Sequence, residues 1–475
     1  KKNLLCIFDY YDTIKTQEVF MFKNMLQNRK NEPIRQKSGE FLLSQSHHYL
    51  SPLQKSLSKK IDERFVKTFY NLFIAILMFR NRPMGLLLSE LGGFIAGFCS
   101  APAGTKRIGR LLGCKKWTHE SISDFFFNRG KQRIKKLSEG KRPLLLWDDS
   151  RIEKSESFFL EGLCSVFSSK GQRLTRIRPG FFSPPGKRIY TTGYKWTGVM
   201  LSALGEVPSV FNMTWWTTRG KHKEHGTNII YRMLRKIHLQ IGSIGLHIFD
   251  RGYANSTMVE WLIKFEQDFL TRWVSNHQFI NEQGELKKIY NIARSYKGKS
   301  KKQVKDKERK KLKTISIAYA PVRHPESPEH QLYLVIIRDK NYSNSPIYLI
   351  TSIPITDKST AWEMCFSYIH RWEIEQSFRC CKSELSMESP RLWFFDRTLK
   401  LLAIVSLVYD FLLRMLSNWK PWAEQLFSTW CHRTGNRYRK AAIPIYRLRA
   451  AISMALLALF FEKHFERNGW FDSVT

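Results

Sequence analysis

A chain of 475 residues with 43% hydrophobic content is long enough for roughly two to four domains with real cores, which excludes a disordered or single-module protein. Its 78 Lys and Arg against 41 Asp and Glu leave a formal charge of +37, so a polyanionic partner is required and nucleic acid is the default over a membrane surface. The eight cysteines form no CxxC pair and no regular framework, which excludes a zinc ribbon or disulfide scaffold and suits reduced, cytoplasmic thiols.

Residues 1–60 are polar and basic with little periodicity, so they are expected to be irregular or loosely helical. Helical patterning then runs from Ile61 to about Leu137, in segments separated by "RNRP", "SAPAG" and "CKKW". Short helices rich in Arg and Lys and joined by Gly/Pro turns suit a DNA-binding region, and a plain basic bundle would read the same way. No secretory signal is visible. The apolar run Phe69–Phe79 is too short to span a bilayer, and the run from Leu401 to Leu416 carries Asp410 and Arg414. Both read as buried helices, and no membrane partner is expected.

From Arg142 the pattern turns to strands: "RPLLLWDDS", "KWTGVMLSALG" and "PSVFNMTWWTT". The helical "GTNIIYRMLRKIHLQIG", the strand "GLHIFDRGY", the helix "NSTMVEWLIKFEQ" and the strand "DFLTRWVSN" follow. Three consecutive strands and then alternating helices and strands predict a ribonuclease-H-like α/β core. Between about His277 and Ser345 the order is interrupted by a β-rich insertion, which carries the charged run Lys297–Lys313, expected as a mobile basic loop that contacts DNA. "PIYLITSIPI" returns to the main sheet, one long helix covers "STAWEMCFSYIHRWEIEQSFRCCKSEL", and the remainder from Arg391 is helical.

Two aspartate motifs end apolar strands, Asp148–Asp149 in "LLLWDDSRIEK" and Asp250 in "LHIFDRGYAN". The C-terminal edge of a strand is where open α/β sheets place ligand chemistry, although an Asp there also caps ordinary turns. Successive strand residues face opposite sides, so only one of Asp148 and Asp149 can enter a site with Asp250. In "YIHRWEIEQSFRCCK", Tyr368, Arg371, Glu375 and Lys382 follow one another at steps of three, four and seven residues, which return to one helix face. Arg371 and Glu375 alone could be a solvated ion pair. Two strand-ending acids and Glu375 on a later helix point instead to three hard oxygen donors, which suit Mg2+ with Mn2+ as a substitute. Two such ions, about 3.5–4 Å apart, would activate water or a 3′-hydroxyl and stabilise the leaving oxygen, with no covalent nucleophile. No nucleophilic serine or cysteine motif and no P-loop is present.

The tetrad and the surrounding "RWEIEQSF" resemble the Y-R-E-K signature of DDE-class insertion-sequence transposases, the IS-four family. The resemblance implies that Glu375 is the third metal-binding carboxylate, with Glu373 as its competitor. It also implies that Tyr368, Arg371 and Lys382 hold DNA phosphates, and that Trp372 contacts a base flipped near the cleavage point. His370 receives no role. In that family the first acid directly precedes Ser or Thr, which favours Asp149 before Ser150, with Asp148 as the alternative. "DRGY" from Asp250 is similar to the second acidic motif.

The expected architecture is a helical DNA-binding region (1–138), a ribonuclease-H-like core (139–276 and 346–400) interrupted by the β-rich insertion (277–345), and a helical C-terminal region (401–475). The resemblance implies a transposase that binds the terminal inverted repeats in double-stranded DNA, cleaves, and joins 3′ ends to target DNA through a hairpin route. A homodimer in the DNA complex is expected, in the cytoplasm and at the nucleoid when bound. A metal-dependent nuclease on the same scaffold and a domesticated, inactive DNA-binding protein are the rivals.

Overall fold

The computed structural model describes residues 32–137, 141–174, 188–298, 300–305, 312–339, 345–418, 426 and 445–467. Two compact units are present: Pro52–Asn418, and Lys1–Ser51 together with Trp419–Thr475. In the second of these, the described helices are the first part of α1 (Glu32–Ser58) and α13 (Ile445–Arg467). They meet at Gly39, where a Cβ would stand 2.8 Å from that of Leu459. In the segment before residue 60, expected as irregular or loosely helical, residues 1–31 lie outside the described residues and the remainder is the single long α1. Its buried residues Leu42, Tyr49, Leu50, Leu53 and Leu57 recur at the spacing of one helix face, a pattern diluted in the sequence by the polar residues between them.

The larger unit continues with helices α2 (Glu63–Met78), α3 (Leu88–Ala96), α4 (Ala101–Gly113) and α5 (Glu120–Lys136). Helix α2 starts where the Asp62 carboxylate accepts from the Arg64 amide. Helices α3 and α4 approach so closely that a Cβ on Gly104 would lie 2.1 Å from the Gly92 carbonyl oxygen, so glycine is required at the crossing. Among the described residues no helix is long and apolar enough to cross a membrane.

After α5 come β1 (Leu144–Glu153), β2 (Cys164–Phe167), the short α6 (Ser169–Leu174), β3 (Tyr190–Ser202) and β4 (Ser209–Trp216). Helix α7 (Gly226–Ile241), β5 (Leu246–Phe249), α8 (Ser256–Lys264) and β6 (Asp268–Trp273) follow. Strand β3 runs antiparallel to both β1 and β4, while β5 runs parallel to both β1 and β6. These five strands therefore lie in the order β4-β3-β1-β5-β6, with β2 added along the far part of β3.

The β-rich stretch comprises β7 (Gln278–Ile280), β8 (Leu286–Lys288), α9 (Ile289–Arg294), β9 (Ser300–Lys305), β10 (Leu312–His324) and β11 (Ser327–Asp339). Its strands extend the same sheet, through the antiparallel pairs β10–β11, β11–β12 and β12–β6, where β12 is Ile347–Thr351. The run expected as a structureless basic loop is a hairpin in its described parts, with Leu312 opposite Lys305 and Ile317 opposite Ser300. Residues 306–311 lie outside the described residues. Strand β9 pairs through its backbone and keeps Lys301 and Lys302 exposed, so charge density alone misreads the segment.

The chain closes its larger unit with α10 (Lys358–His370), α11 (Trp372–Ser383) and α12 (Phe395–Asn418). The single long helix expected over the tetrad is two helices meeting at Arg371. There the Arg371 amide bonds to the Tyr368 carbonyl and the Ile374 amide to the Arg371 carbonyl, three-residue steps that tighten the turn.

The two faces of the sheet are covered differently. One face buries Leu145, Trp147, Val199 and Phe211 with Ile229, Met233 and Leu234 of α7 and Met258, Val259 and Leu262 of α8. The other receives α11, which packs on β1 and β3. Its Phe378 ring lies 4.4 Å, centroid to centroid, from Trp196.

Candidate active site at the junction of β1, β5 and the α10–α11 turn

Strand alternation decides which of the paired aspartates meets the tetrad. Asp148 shares its face with Leu146 and Ser150, towards α11, while Asp149 shares the opposite face with Leu145 and Trp147, towards α7 and α8. Asp148 stands opposite Gly198 of β3. A Cβ at Gly198 would come within 2.9 Å of Phe378, so the missing side chain sets how close α11 sits to the strand.

Arg371 is the centre of the cluster. Its Nη1 lies 3.3 Å from Asp148 Oδ2 and its Nη2 pairs with Glu375 Oε1. Its guanidinium carbon is 5.9 Å from the Tyr368 ring centroid. The Tyr368 hydroxyl donates to Asp250 Oδ1 at 3.3 Å. Burial opposes the charge on Arg371, but Asp148, Tyr368, Asp250 and Glu375 together hold its pKa above the ordinary arginine value. Two of its nitrogens, Nε and Nη1, are buried without a hydrogen-bond partner among the described residues.

The acids answer that field unequally. Burial pushes the Asp148 carboxyl up to about 7; Arg371 and the Asp149 amide pull it back, while Glu375 and Asp250 add to the rise. Burial likewise raises Tyr368, reinforced by Asp250 and opposed by Arg371 and Arg272. Lys382 is lowered by burial, with Glu388, Glu153 and Asp148 opposing that change. Asp149 lies outside this network. Its Oδ1 accepts from the Thr197 hydroxyl at 2.6 Å, and burial raises the carboxyl above its ordinary value while Thr197, Tyr253 and Lys195 pull it back.

The structure therefore brings together Asp148, Asp250, Tyr368, Arg371 and Glu375, sets Lys382 beside Asp148, and leaves Asp149 on the other face of the sheet. Trp372 opens α11, half-buried, with the Arg379 guanidinium 6.0 Å from its ring centroid. His370 Nε2 is 2.8 Å from the Ser202 hydroxyl. Two participants escaped the sequence reading. Arg272 on β6 resembles any other surface cation, and Gly198 has meaning only once its register with Asp148 is known.

Among the described residues no three acidic, His or Cys side chains stand close enough to share one ion. The donor set nevertheless fits a hard divalent cation. Every candidate donor is a carboxylate oxygen, and burial, reinforced by Glu375 and Asp250, holds Asp148 up near 7 despite Arg371, a rise that a divalent cation would oppose. Arg371 supplies the one cation between the acids as they stand.

Residues 182–411, somewhat under half of the chain, match the family model of the transposase DDE domain. That stretch contains Asp250 and the whole tetrad and begins after Asp148. No curated protein sequence matches the chain. Among solved structures, a piggyBac transposase seen by cryo-EM as a synaptic complex with hairpin DNA is similar over 93% of this chain and 83% of its own. The identity is 10% and the TM-score 0.39, so distant a likeness that the site's reading does not draw on it. Residues 182–411 are similar, by their match, to a transposase DDE domain.

Proposed function

We propose that this protein is a DNA transposase of the Y-R-E-K type, cleaving DNA at the ends of its element and joining the freed 3′ ends to a target. The reading rests above all on one observation: a buried arginine shared by Asp148, Glu375 and the Tyr368–Asp250 pair, with its Nε unfilled and its Nη1 held only by the ion pair to Asp148. Buried polar atoms normally find partners, and exceptions mark places where a ligand completes the set. A phosphate oxygen suits those donors, because guanidinium and phosphate pair in fork geometry and the whole chain carries +37. Lys382 and Tyr368 flank the same position and would hold adjacent phosphates. The strand order β4-β3-β1-β5-β6, antiparallel on one side of β1 and parallel on the other, supports a ribonuclease-H-like core.

Asp148, Asp250 and Glu375 are the carboxylates we assign to the metal, in place of the expected trio with Asp149. Magnesium held there would supply an activated water or 3′-hydroxyl at neutral pH and offset charge on the leaving oxygen. The chain's own contribution is positional. Arg371 can turn Nε and Nη1 to a phosphate while Nη2 stays on Glu375, so DNA arrival frees Asp148 from the cation it is paired with. Gly198 keeps α11 close enough for Glu375 and Asp148 to serve one centre. The hairpin route, a homodimer around paired ends, and a 277–345 subdomain that shields the reacting end belong to the same proposal.

The test is incubation of purified protein with Mg2+ and DNA spanning the boundaries of its own element. Nicks at those boundaries, followed by joining of precut 3′ ends to a plasmid, are expected. Cleavage without joining would reduce the function to a nuclease, and binding with neither would leave an inactive DNA-binding protein.

A further inference from the structure

Beyond β1 the chain carries two adjacent aromatic pairs that the acidic cluster does not use, Phe158–Phe159 and Trp393–Phe394. Phe158 is 73% exposed, Phe159 80% and Trp393 60%. Rings this large are rarely left so open unless something covers them. Neither pair hangs on a loose loop. The Lys154 ammonium donates to the carbonyls of Glu388 and Pro390, each at 2.6 Å. The Tyr194 hydroxyl donates to the Glu161 carbonyl at 2.9 Å, and Thr217 to that of Gly162. The Glu161 amide donates to the Trp393 carbonyl at 2.9 Å, and the Phe395 amide to Glu161 Oε2 at 2.9 Å. Both aromatic pairs are thus mounted on one braced scaffold.

Phe158, Phe159 and Tyr190 wall a cleft of about 640 Å3, lined also by the apolar Leu160 and Leu163 and by the polar Ser155, Ser165, Thr191 and Arg219. That volume lies in the ordinary range for small-ligand sites, about 300–1,000 Å3. Nearby, Arg151 of β1 and Arg188, two residues before β3, stand over Phe167, at 4.7 and 5.9 Å from its ring centroid. Strand β1 leads there from the acidic cluster. From Asp148 to Glu153 is five residues, about 16 Å at 3.3 Å each.

We propose that this cleft is a second DNA subsite that stacks unpaired bases of a strand running past the acidic cluster. The inference rests on the DNA reading above and adds a substrate class to it. A paired duplex offers mainly phosphates and groove edges, which an exposed phenyl face cannot use. An unpaired base offers a π-face to any aromatic ring and edges to hydroxyls, while nearby arginines meet its phosphate. A protein partner would have to bury those arginines beside the rings of a chain with charge +37, whereas a nucleic-acid strand neutralises them.

The test uses the full chain and three probes: a fully paired duplex, the same duplex with an internal unpaired tract carrying 2-aminopurine, and a single strand. Wild type is expected to quench 2-aminopurine and to bind both unpaired probes. The double variant Phe158→Ser with Phe159→Ser should lose roughly tenfold in affinity for each of them per stack removed. Its duplex affinity and salt slope should hold, and tryptophan at both positions should restore binding. Equal losses on paired and unpaired probes would overturn the inference. So would a wild type that binds duplex yet shows no quenching, or a variant that loses self-association in sedimentation while keeping all DNA affinities. A wild type that binds no DNA would overturn the functional reading as well.

Discussion

Two buried cations in the larger unit, Lys400 and Arg371, are provided for in opposite ways. Lys400, 1% exposed, delivers its three protons to the Leu112 carbonyl at 3.2 Å, the Cys114 carbonyl at 3.0 Å and Asp396 at 2.9 Å. Donors and acceptors match in number, so the ammonium closes the end of α4 onto α12 and nothing is left over. Arg371, 8% exposed, sits among three carboxylates and a phenol with its Nε unfilled and its Nη1 in an ion pair that makes no hydrogen bond. One arrangement uses charge to hold the fold; the other leaves it unsettled where a ligand would settle it.

The largest effect should come from separating the two aspartates. Asp148→Asn is expected to lower DNA cleavage on the order of 10³-fold or more, as loss of a group that meets the reacting centre does. Asp149→Asn, on the far face with Thr197, should keep cleavage within about tenfold. Duplex affinity should survive in both, because it rests on the basic surface. If Asp149→Asn proves as inactive as Asp148→Asn, the assignment by strand face is wrong.

The satisfied cation supplies the next effect. Lys400→Met strands two carbonyls and Asp396, so a loss of about 2–4 kcal/mol in urea denaturation is expected. Arg371→Gln gives up the ion pairs to Asp148 and Glu375, but Glu375 is partly exposed and Asp148 can take up a proton to ease the repulsion left behind, so it should cost less than half as much. Equal losses would erase the distinction between the two regions.

How much of this was legible in sequence follows from what each signal encodes. Strands β1, β3, β4, β5 and β6 were readable because alternating and apolar runs were punctuated by Gly and Asn, whereas β2 and the short α6 were not, being too short to show a period. The tetrad was readable because helical spacing is carried by residue numbers. The choice between Asp148 and Asp149 was not, because "LLLW" is apolar on both faces and a strand buried on both sides has no parity signal. The hairpin of β9 and β10 was hidden by its lysines, and the break at Arg371 by helix formers on both sides. The aromatic cleft depends on loops that only tertiary packing brings together.

A third effect is the pH dependence of the unsettled region. Asp148 has an ordinary pKa of 3.8 and is pushed up to about 7 in the fold. Between those values the folded state holds a proton that the unfolded state has released, so this group's contribution to stability falls as pH rises and stays low above about 7. His247 acts oppositely: burial lowers it to about 4, and its contribution falls as pH drops below the ordinary 6.5. Their sum is ambiguous, but the difference between wild type and Asp148→Asn isolates one of them. In chelator, Asp148→Asn should melt about 2–4 °C above wild type at pH 8 and show no advantage near pH 4. A constant difference across that range would mean that Asp148 does not titrate in the window.

The smallest effect tests whether Arg371 and Lys382 are reserved for phosphate. If each neutralises one phosphate on duplex DNA, removing either lowers the slope of log affinity against log salt by about one unit. Over a fourfold salt range that amounts to about a fourfold change in the affinity ratio. Arg371 already pairs with Glu375, so its contact requires that the guanidinium prefer phosphate to carboxylate as DNA arrives. Lys382 is lowered by burial, and a phosphate beside it would favour its charged form. Arg371→Ala and Lys382→Ala should therefore each reduce the slope by similar amounts, and together by about two units. Lys400→Ala, measured on the folded fraction, should leave the slope unchanged. A slope unmoved by Arg371→Ala would return that residue to a purely internal ion pair, making it the same kind of cation as Lys400.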